Sequence, residues 1–306
     1  MKAIFIDTLR QMMREHTDMI VITADMGFSV HEDIQKEFPK RFINTGVTEQ
    51  ASMSIAAGFA LSGYKVFFYA QAAFASMRCY EQIRLDVAYN NVDVKIIGSN
   101  AGFALNQMGI SHFSLEDIGI MRLLPTMTIF SPGDPIEMEW ALKQSYKVKG
   151  PVYLRYSKLG DEAIHKNSRD FKIGQPICLN RGSDGALFAS GGILHMAKNI
   201  IHQLKQDNIH IALYSVPTIK PCKIKIILSE AKKTGNIFTL EEHSVLGALG
   251  TIVAETIAES RIKTNFVRFG VPDLFTSITG SIDYLLKYNG LSAKKITSRI
   301  SKIVKR

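Results

Sequence analysis

The sequence predicts an α/β protein built from two doubly wound parallel-sheet domains. Short apolar, β-branched runs alternate with longer helical patterns for most of the length, and the alternation breaks once, at 161–184, before it resumes. Strand–helix alternation lays strands side by side in one direction and covers both faces of the sheet with helices. With 306 residues, 46% of them hydrophobic, the chain has apolar mass enough for two ordinary cores.

In the first half, strands are expected at 19–23, 42–45, 65–69, 92–98, 127–130 and 152–155, with helices at 3–15, 49–61, 75–90, 115–123 and 134–146 between them. Pro132 and Asp134 mark the start of the last helix, with Asp134 as its N-cap. Polar and turn-forming residues at 161–184 read as a linker. Strands at 186–190, 210–216, 236–240 and 265–269 then alternate with helices at 194–205, 225–232 and 249–260. The expected domains are therefore 1–160 and 185–306.

Composition narrows the class. No apolar run approaches the roughly 20 residues that span a bilayer, and the opening MKAIFIDTLRQMMREH carries charge in every turn, unlike a secretory signal. Cys79, Cys178 and Cys222 are scattered, with neither metal-ligand spacing nor a disulfide framework, which fits a reducing cytoplasm. A net charge of +9 raises nucleic acid as a partner. The excess gathers at Lys294, Lys295, Arg299, Lys302, Lys305 and Arg306, without interleaved aromatics or a nucleic-acid motif. A solvated helix face accounts for it, or attraction to an acidic partner or a phosphorylated substrate.

Ligands of an open parallel sheet collect beyond the carboxyl ends of its strands, and four segments fall there. In Asn44-Thr45-Gly46-Val47-Thr48-Glu49-Gln50, a tight turn delivers Glu49 to the start of a helix, where it reads equally as a capping glutamate. After the next strand, Phe74, Met77 and Tyr80 are three apart and form a helical stripe that serves a core as readily as a ring-binding site. The segment from Gly98-Ser99-Asn100 to Ser111-His112-Phe113 is a loop with a histidine, a surface residue or a proton-transfer group. Arg155-Tyr156-Ser157-Lys158 ends a strand with two cations, solvated charge or a phosphate clasp.

In this order the segments resemble the pyrimidine-binding domain of the transketolase family, to which deoxyxylulose-phosphate synthases and the β subunits of 2-oxoacid dehydrogenase E1 components are related. The phrases run nearly the whole length: Thr23-Ala24-Asp25, Gly46-Val47-Thr48-Glu49-Gln50, Glu81-Gln82-Ile83-Arg84, Ser111-His112 with Glu116-Asp117, Glu241-Glu242-His243-Ser244, and Gly270-Val271-Pro272-Asp273. The nearest match is the carboxyl half that split transketolases carry as a separate polypeptide, and the second domain then corresponds to the family's structural C-terminal domain. The resemblance implies thiamine diphosphate as cofactor. It places Glu49 against N1′ of the aminopyrimidine, where a shared proton favours the tautomer that activates the thiazolium carbon. It places Phe74, Met77 and Tyr80 around that ring, Asp25 beside the thiazolium, and His112 at the substrate's hydroxyl or carbonyl.

Three positions depart from the family pattern. Met108 stands where transketolases commonly carry an aspartate, and Asn100 where they carry a second histidine; a methionine cannot bond a sugar hydroxyl. Lys158 replaces an arginine that grips the acceptor phosphate and lacks its bidentate fork. The donor sugar is thus expected to be nonstandard. The family's Gly-Asp-Gly motif, which holds the cofactor's diphosphate through Mg²⁺, is missing from the sequence. Both are therefore expected on an N-terminal transketolase-type partner subunit, in an α2β2 enzyme that transfers a two-carbon ketol unit between sugar phosphates. A 2-oxoacid decarboxylase or synthase subunit of the E1 β kind and a noncatalytic regulatory subunit are the alternatives.

Overall fold

The computed structural model of the protein describes residues 1–26 and 32–305. The first sheet contains β1 (Met19–Thr23), β2 (Phe42–Asn44), β3 (Lys65–Gln71), β4 (Val94–Ser99), β5 (Thr128–Phe130) and β6 (Val152–Arg155), all parallel. Every residue of β1, β4 and β6 is buried, as the interior strands of a sheet covered on both faces require. The covering helices are α1 (Lys2–Glu15), α2 (Glu32–Glu37), α3 (Glu49–Leu61), α4 (Asp117–Arg122) and α5 (Pro135–Lys147). Asp134 caps α5 by accepting from Glu137 N, as its sequence position predicts.

The second sheet contains β7 (Ile177–Asn180), β8 (Gly185–Ser190), β9 (Ile211–Ser215), β11 (Asn236–Ser244) and β12 (Asn265–Val271), in the order β12-β11-β8-β9-β7. Its helices are α6 (Leu194–Gln206), α7 (Lys225–Thr234), α8 (Leu249–Ser260), α9 (Ile282–Tyr288) and α10 (Ala293–Val304). On α10, Ile296, Thr297 and Ile300 are buried while Lys294, Lys295, Arg299 and Lys302 are exposed, with Lys305 just beyond; Arg306 lies outside the described residues. No helix among the described residues is long and apolar enough to cross a membrane.

Three features depart from the sequence expectation. The stretch read as a linker carries β7, which pairs antiparallel with β9. Strand β10 (Thr218–Lys220) leaves the second sheet and adds to the first, antiparallel to β5, giving the order β10-β5-β6-β4-β3-β1-β2. Both edge strands are too short to show a period in the sequence. The helix expected at 75–90 is instead π-helical at Phe74–Arg78, α-helical at Tyr80–Gln82 and π-helical again at Ile83–Tyr89.

Buried polar groups cluster at and beside the junction of the domains, and Glu137–Ser215 and Glu242–Phe103 cross it. Glu137 Oε1 accepts from Ser215 Oγ at 2.5 Å and stands 2.7 Å from His165 Nε2. Arg155 Nε lies 2.8 Å from Asp117 Oδ2, which also accepts from Tyr153 OH at 2.6 Å. On β11, Glu241 accepts from Leu249 N and Gly250 N, and Glu242 from Phe103 N. Burial pushes both glutamates up from 4.5 to about 7 and His243 down from 6.5 to about 4.

A carboxyl raised on folding stabilises the fold fully below its unfolded pKa and loses that contribution as pH rises through the folded value. Stability is therefore expected to fall between about pH 6.5 and about pH 8, a window above the range in which neutral His243 acts. Urea unfolding at the two pH values, with and without Glu241→Gln, checks this. The variant should show the smaller difference.

Candidate functional site

The order of the first sheet reverses direction between β1 and β3, since β2 lies outside β1 while β3 and β4 continue on the other side. That switch point is where an open α/β sheet leaves a crevice for a ligand. The chain ends of β1, β2 and β3 all deliver residues there.

After β1, Asp25 has a left-handed backbone (φ +49°). It is held by Asn44, whose Oδ1 accepts from Asp25 N and Gly46 N at 3.0 Å and whose Nδ2 donates to Asp25 Oδ1 at 3.1 Å. Asn44 thus ties the end of β1 to the turn that leads into α3. Gly46 makes that turn at φ +71°, a region that costs most other residues 1–2 kcal/mol or so. Glu49 follows as the first residue of α3, where the unpaired amide groups of the helix end favour a negative charge.

Glu49 is only 2% exposed, and its Oε2 accepts from Arg78 Nη1 at 2.8 Å. The Arg78 guanidinium lies over the Phe74 ring at 4.0 Å. Phe74 in turn meets the His112 ring edge-on, with centroids 5.1 Å apart. Gln71, fully buried at the end of β3, binds both neighbours: its Nε2 donates to His112 O at 2.6 Å and its Oε1 accepts from Phe74 N at 3.3 Å. His112 Nδ1 lies 2.9 Å from Ser111 Oγ. Burial pushes the Cys79 thiol up to about 12, with the Glu49 charge adding to the effect, so this cysteine is an inert core residue.

The structure joins Glu49, Phe74 and His112 in one line of contacts and ties Asp25 to the same turn. Met77 is 41% exposed at the edge of the π-helical segment. Asn100 (φ +54°) is half-buried just after β4, while Met108, 57% exposed, and Lys158 are surface residues.

The Tyr80 hydroxyl donates to Ile120 O at 2.9 Å, and the residue lines an apolar cavity of about 520 Å³ with Leu85, Tyr89, Leu123 and Pro125. A stripe at spacing three assumes α-helical winding. The i→i+5 bonding of a π-helix widens the turn and spreads that stripe, while Phe74 and Arg78, four apart, meet as they would on an ordinary helix. Sequence patterning does not single out Arg78 or Gln71. Their only signals are a cation four residues after an aromatic and a polar residue ending an otherwise apolar strand.

This architecture places the chain among two-domain α/β proteins whose ligand crevice lies beyond the carboxyl ends of parallel strands. Residues 1–160 match the transketolase pyrimidine-binding domain and residues 174–296 the transketolase C-terminal domain. The chain belongs to the transketolase family. It is 36% identical over 303 residues to the "Putative transketolase C-terminal section" of Methanocaldococcus jannaschii, covering 98% of this chain and 95% of that protein. It is 33% identical over 304 residues to an apulose-4-phosphate transketolase subunit of Phocaeicola vulgatus, covering 99% and 96%. A solved structure described as "Split gene transketolase, inactive beta4 tetramer" superposes with a TM-score of 0.89 at 30% identity, covering 99% of this chain and 97% of that one.

Proposed function

We propose that this chain is the pyrimidine-binding subunit of a split transketolase, which moves a two-carbon ketol unit between sugar phosphates only when paired with a diphosphate-binding subunit. The observation that carries the reading is the buried Glu49 carboxylate, bonded to a planar cation that rests on Phe74. The Arg78 guanidinium makes both contacts a protonated aminopyrimidine needs, donating to the carboxylate and stacking on the ring. The residues present therefore fit the cofactor's pyrimidine.

Thiamine diphosphate, when bound, supplies a carbon nucleophile and an electron sink for breaking a bond beside a carbonyl. Glu49 would share a proton with the ring nitrogen, Phe74, Met77 and Tyr80 would surround the ring, and Asp25, beside the turn that carries Glu49, would stand near the thiazolium. His112 moves protons on the substrate, with Asn100, Met108 and Lys158 on its approach. Exposed Met108 offers a sugar hydroxyl at most a weak sulfur acceptor, which favours a donor different from the usual ketose phosphates.

Mg²⁺ and the diphosphate fall to the partner, in an α2β2 assembly. The sequence has no Gly-Asp-Gly. Among the described residues the one cluster of metal-type side chains, Asp134, Glu137 and His165, has its acceptors taken by backbone amides, Ser215 and its own members. The relatives named as a transketolase subunit and as a C-terminal section have nearly the length of this chain.

Isothermal titration is expected to show no tight, Mg²⁺-dependent binding of thiamine diphosphate to this chain alone and tight binding to the reconstituted pair. Tight binding by the chain alone would overturn the division of labour. Assays of the pair with ketose phosphates against 2-oxoacids separate ketol transfer from the decarboxylase alternative.

A further inference from the structure

We propose that the second domain shapes the substrate side of the site, and that Glu242 is the positioning residue through which it holds the loop carrying Met108 and His112. The proposal rests on the reading of those two residues as substrate-side groups. The loop leaves the first sheet after β4, and a single antiparallel bridge between Gly102 and Ser114 closes it. Gly102 N donates to Ser114 O at 2.9 Å and Ser114 N to Gly102 O at 3.1 Å.

What lies beneath the bridge belongs to β11. Glu242, 3% exposed, accepts from Phe103 N at 2.9 Å. Gly102 sits so close above it that a Cβ there would overlap the Glu242 carboxyl, and its φ of +64° suits glycine. The other end of the loop is held by the same strand: Ser244 N donates to Leu115 O at 2.8 Å, and Arg155 Nη2 reaches both Ser114 O and Glu242 O, at 3.3 and 3.4 Å.

The apolar anchors agree with the polar ones. Phe103 and Phe113, edge-to-face at 5.0 Å, belong to the core of the second domain with Leu187, Leu240 and Phe269, although both lie within the first domain's sequence. At the tip, Asn106 Nδ2 donates to Gly280 O at 2.5 Å. The ten-residue span 104–113 is thus pinned at its base by a buried carboxylate of the second sheet and by the loop's own two rings, Phe103 and Phe113, set in the second domain's core. The cofactor-side residues Glu49 and Phe74 hang from β2 and β3, and Phe74 meets the loop through the His112 ring and through Gln71. The second domain therefore acts first on the substrate side and reaches the pyrimidine side only through those contacts.

Hydrogen exchange on the full chain tests the clamp without any turnover. Truncation in Glu242→Ala leaves Phe103 N without its acceptor, and exchange across 103–113 is expected to speed by roughly tenfold or more, with β8 and β9 unchanged. Glu242→Gln, which keeps an acceptor oxygen, should restore most of the protection and serves as the deciding variant should the alanine variant not fold. In the reconstituted enzyme, Glu242→Ala should raise the donor's KM by roughly fivefold or more and change the affinity for thiamine diphosphate by much less.

Unchanged exchange in 103–113 would overturn the proposal, as would protection lost equally throughout the second domain or a parallel loss of cofactor affinity. A pair inactive on every ketose phosphate would sink the functional reading alone, because the exchange result stands without it.

Discussion

Glutamine in place of Glu49 is expected to lower turnover of the assembled enzyme by about two to four orders of magnitude and to leave the subunits associated. The side chain is buried at the first turn of α3 and already serves as a hydrogen-bond acceptor, from Arg78 Nη1 at 2.8 Å. An amide of the same shape can still accept that bond, so packing and assembly survive. What it cannot do is exchange a proton with a heterocycle, and a positioned proton-transfer group is what this range of rate describes. Steady-state kinetics of the reconstituted pair, with sedimentation to verify assembly, makes the comparison. Turnover within a few-fold of the parent would remove Glu49 from the chemistry and with it the cofactor reading of the whole crevice.

The second large effect is on stability. Asp117→Ala is expected to destabilise the chain by about 3–5 kcal/mol, the range for breaking a buried ion pair by removing one partner. Asp117 and Arg155 are both buried, and the cation left behind would keep only two long contacts to carbonyl oxygens. Tyr153 OH would lose its acceptor in the same step, adding the penalty of an unpaired buried hydroxyl. Against a total stability of roughly 5–15 kcal/mol this is a large fraction. The paired replacement Asp117→Leu with Arg155→Met should recover much of the loss, since an apolar pair of similar volume removes both charges from the interior. Denaturant titration of the single and double variants measures it. A single variant as stable as the parent would show that water reaches Arg155 and that the junction is not closed there.

Most of the fold is legible in the sequence because its signals are local. Strands β1, β3 and β6 and helix α3 announce themselves by apolar runs, β-branching and helical period within a dozen residues, and Asp134 announces a helix start by its own side chain. The edge strands β7 and β10 give no such sign. Each is held by its partner's backbone more than by its own composition, and β10 exists only because the second domain lies against β5. The π-helical winding of Phe74–Arg78 is equally hidden, for it depends on how that segment packs after β3.

Residue type and order are enough to establish a two-domain α/β chain of the transketolase family, with a carboxylate, an aromatic and a loop histidine placed after successive strands. Which of those groups meet is settled by the folded chain alone. Arg78 stacks on Phe74 while bonding Glu49, and the loop of His112 rests on Glu242, some 130 residues away in sequence. Contacts of that kind depend on winding and on the approach of distant backbone, which no local pattern of side chains encodes.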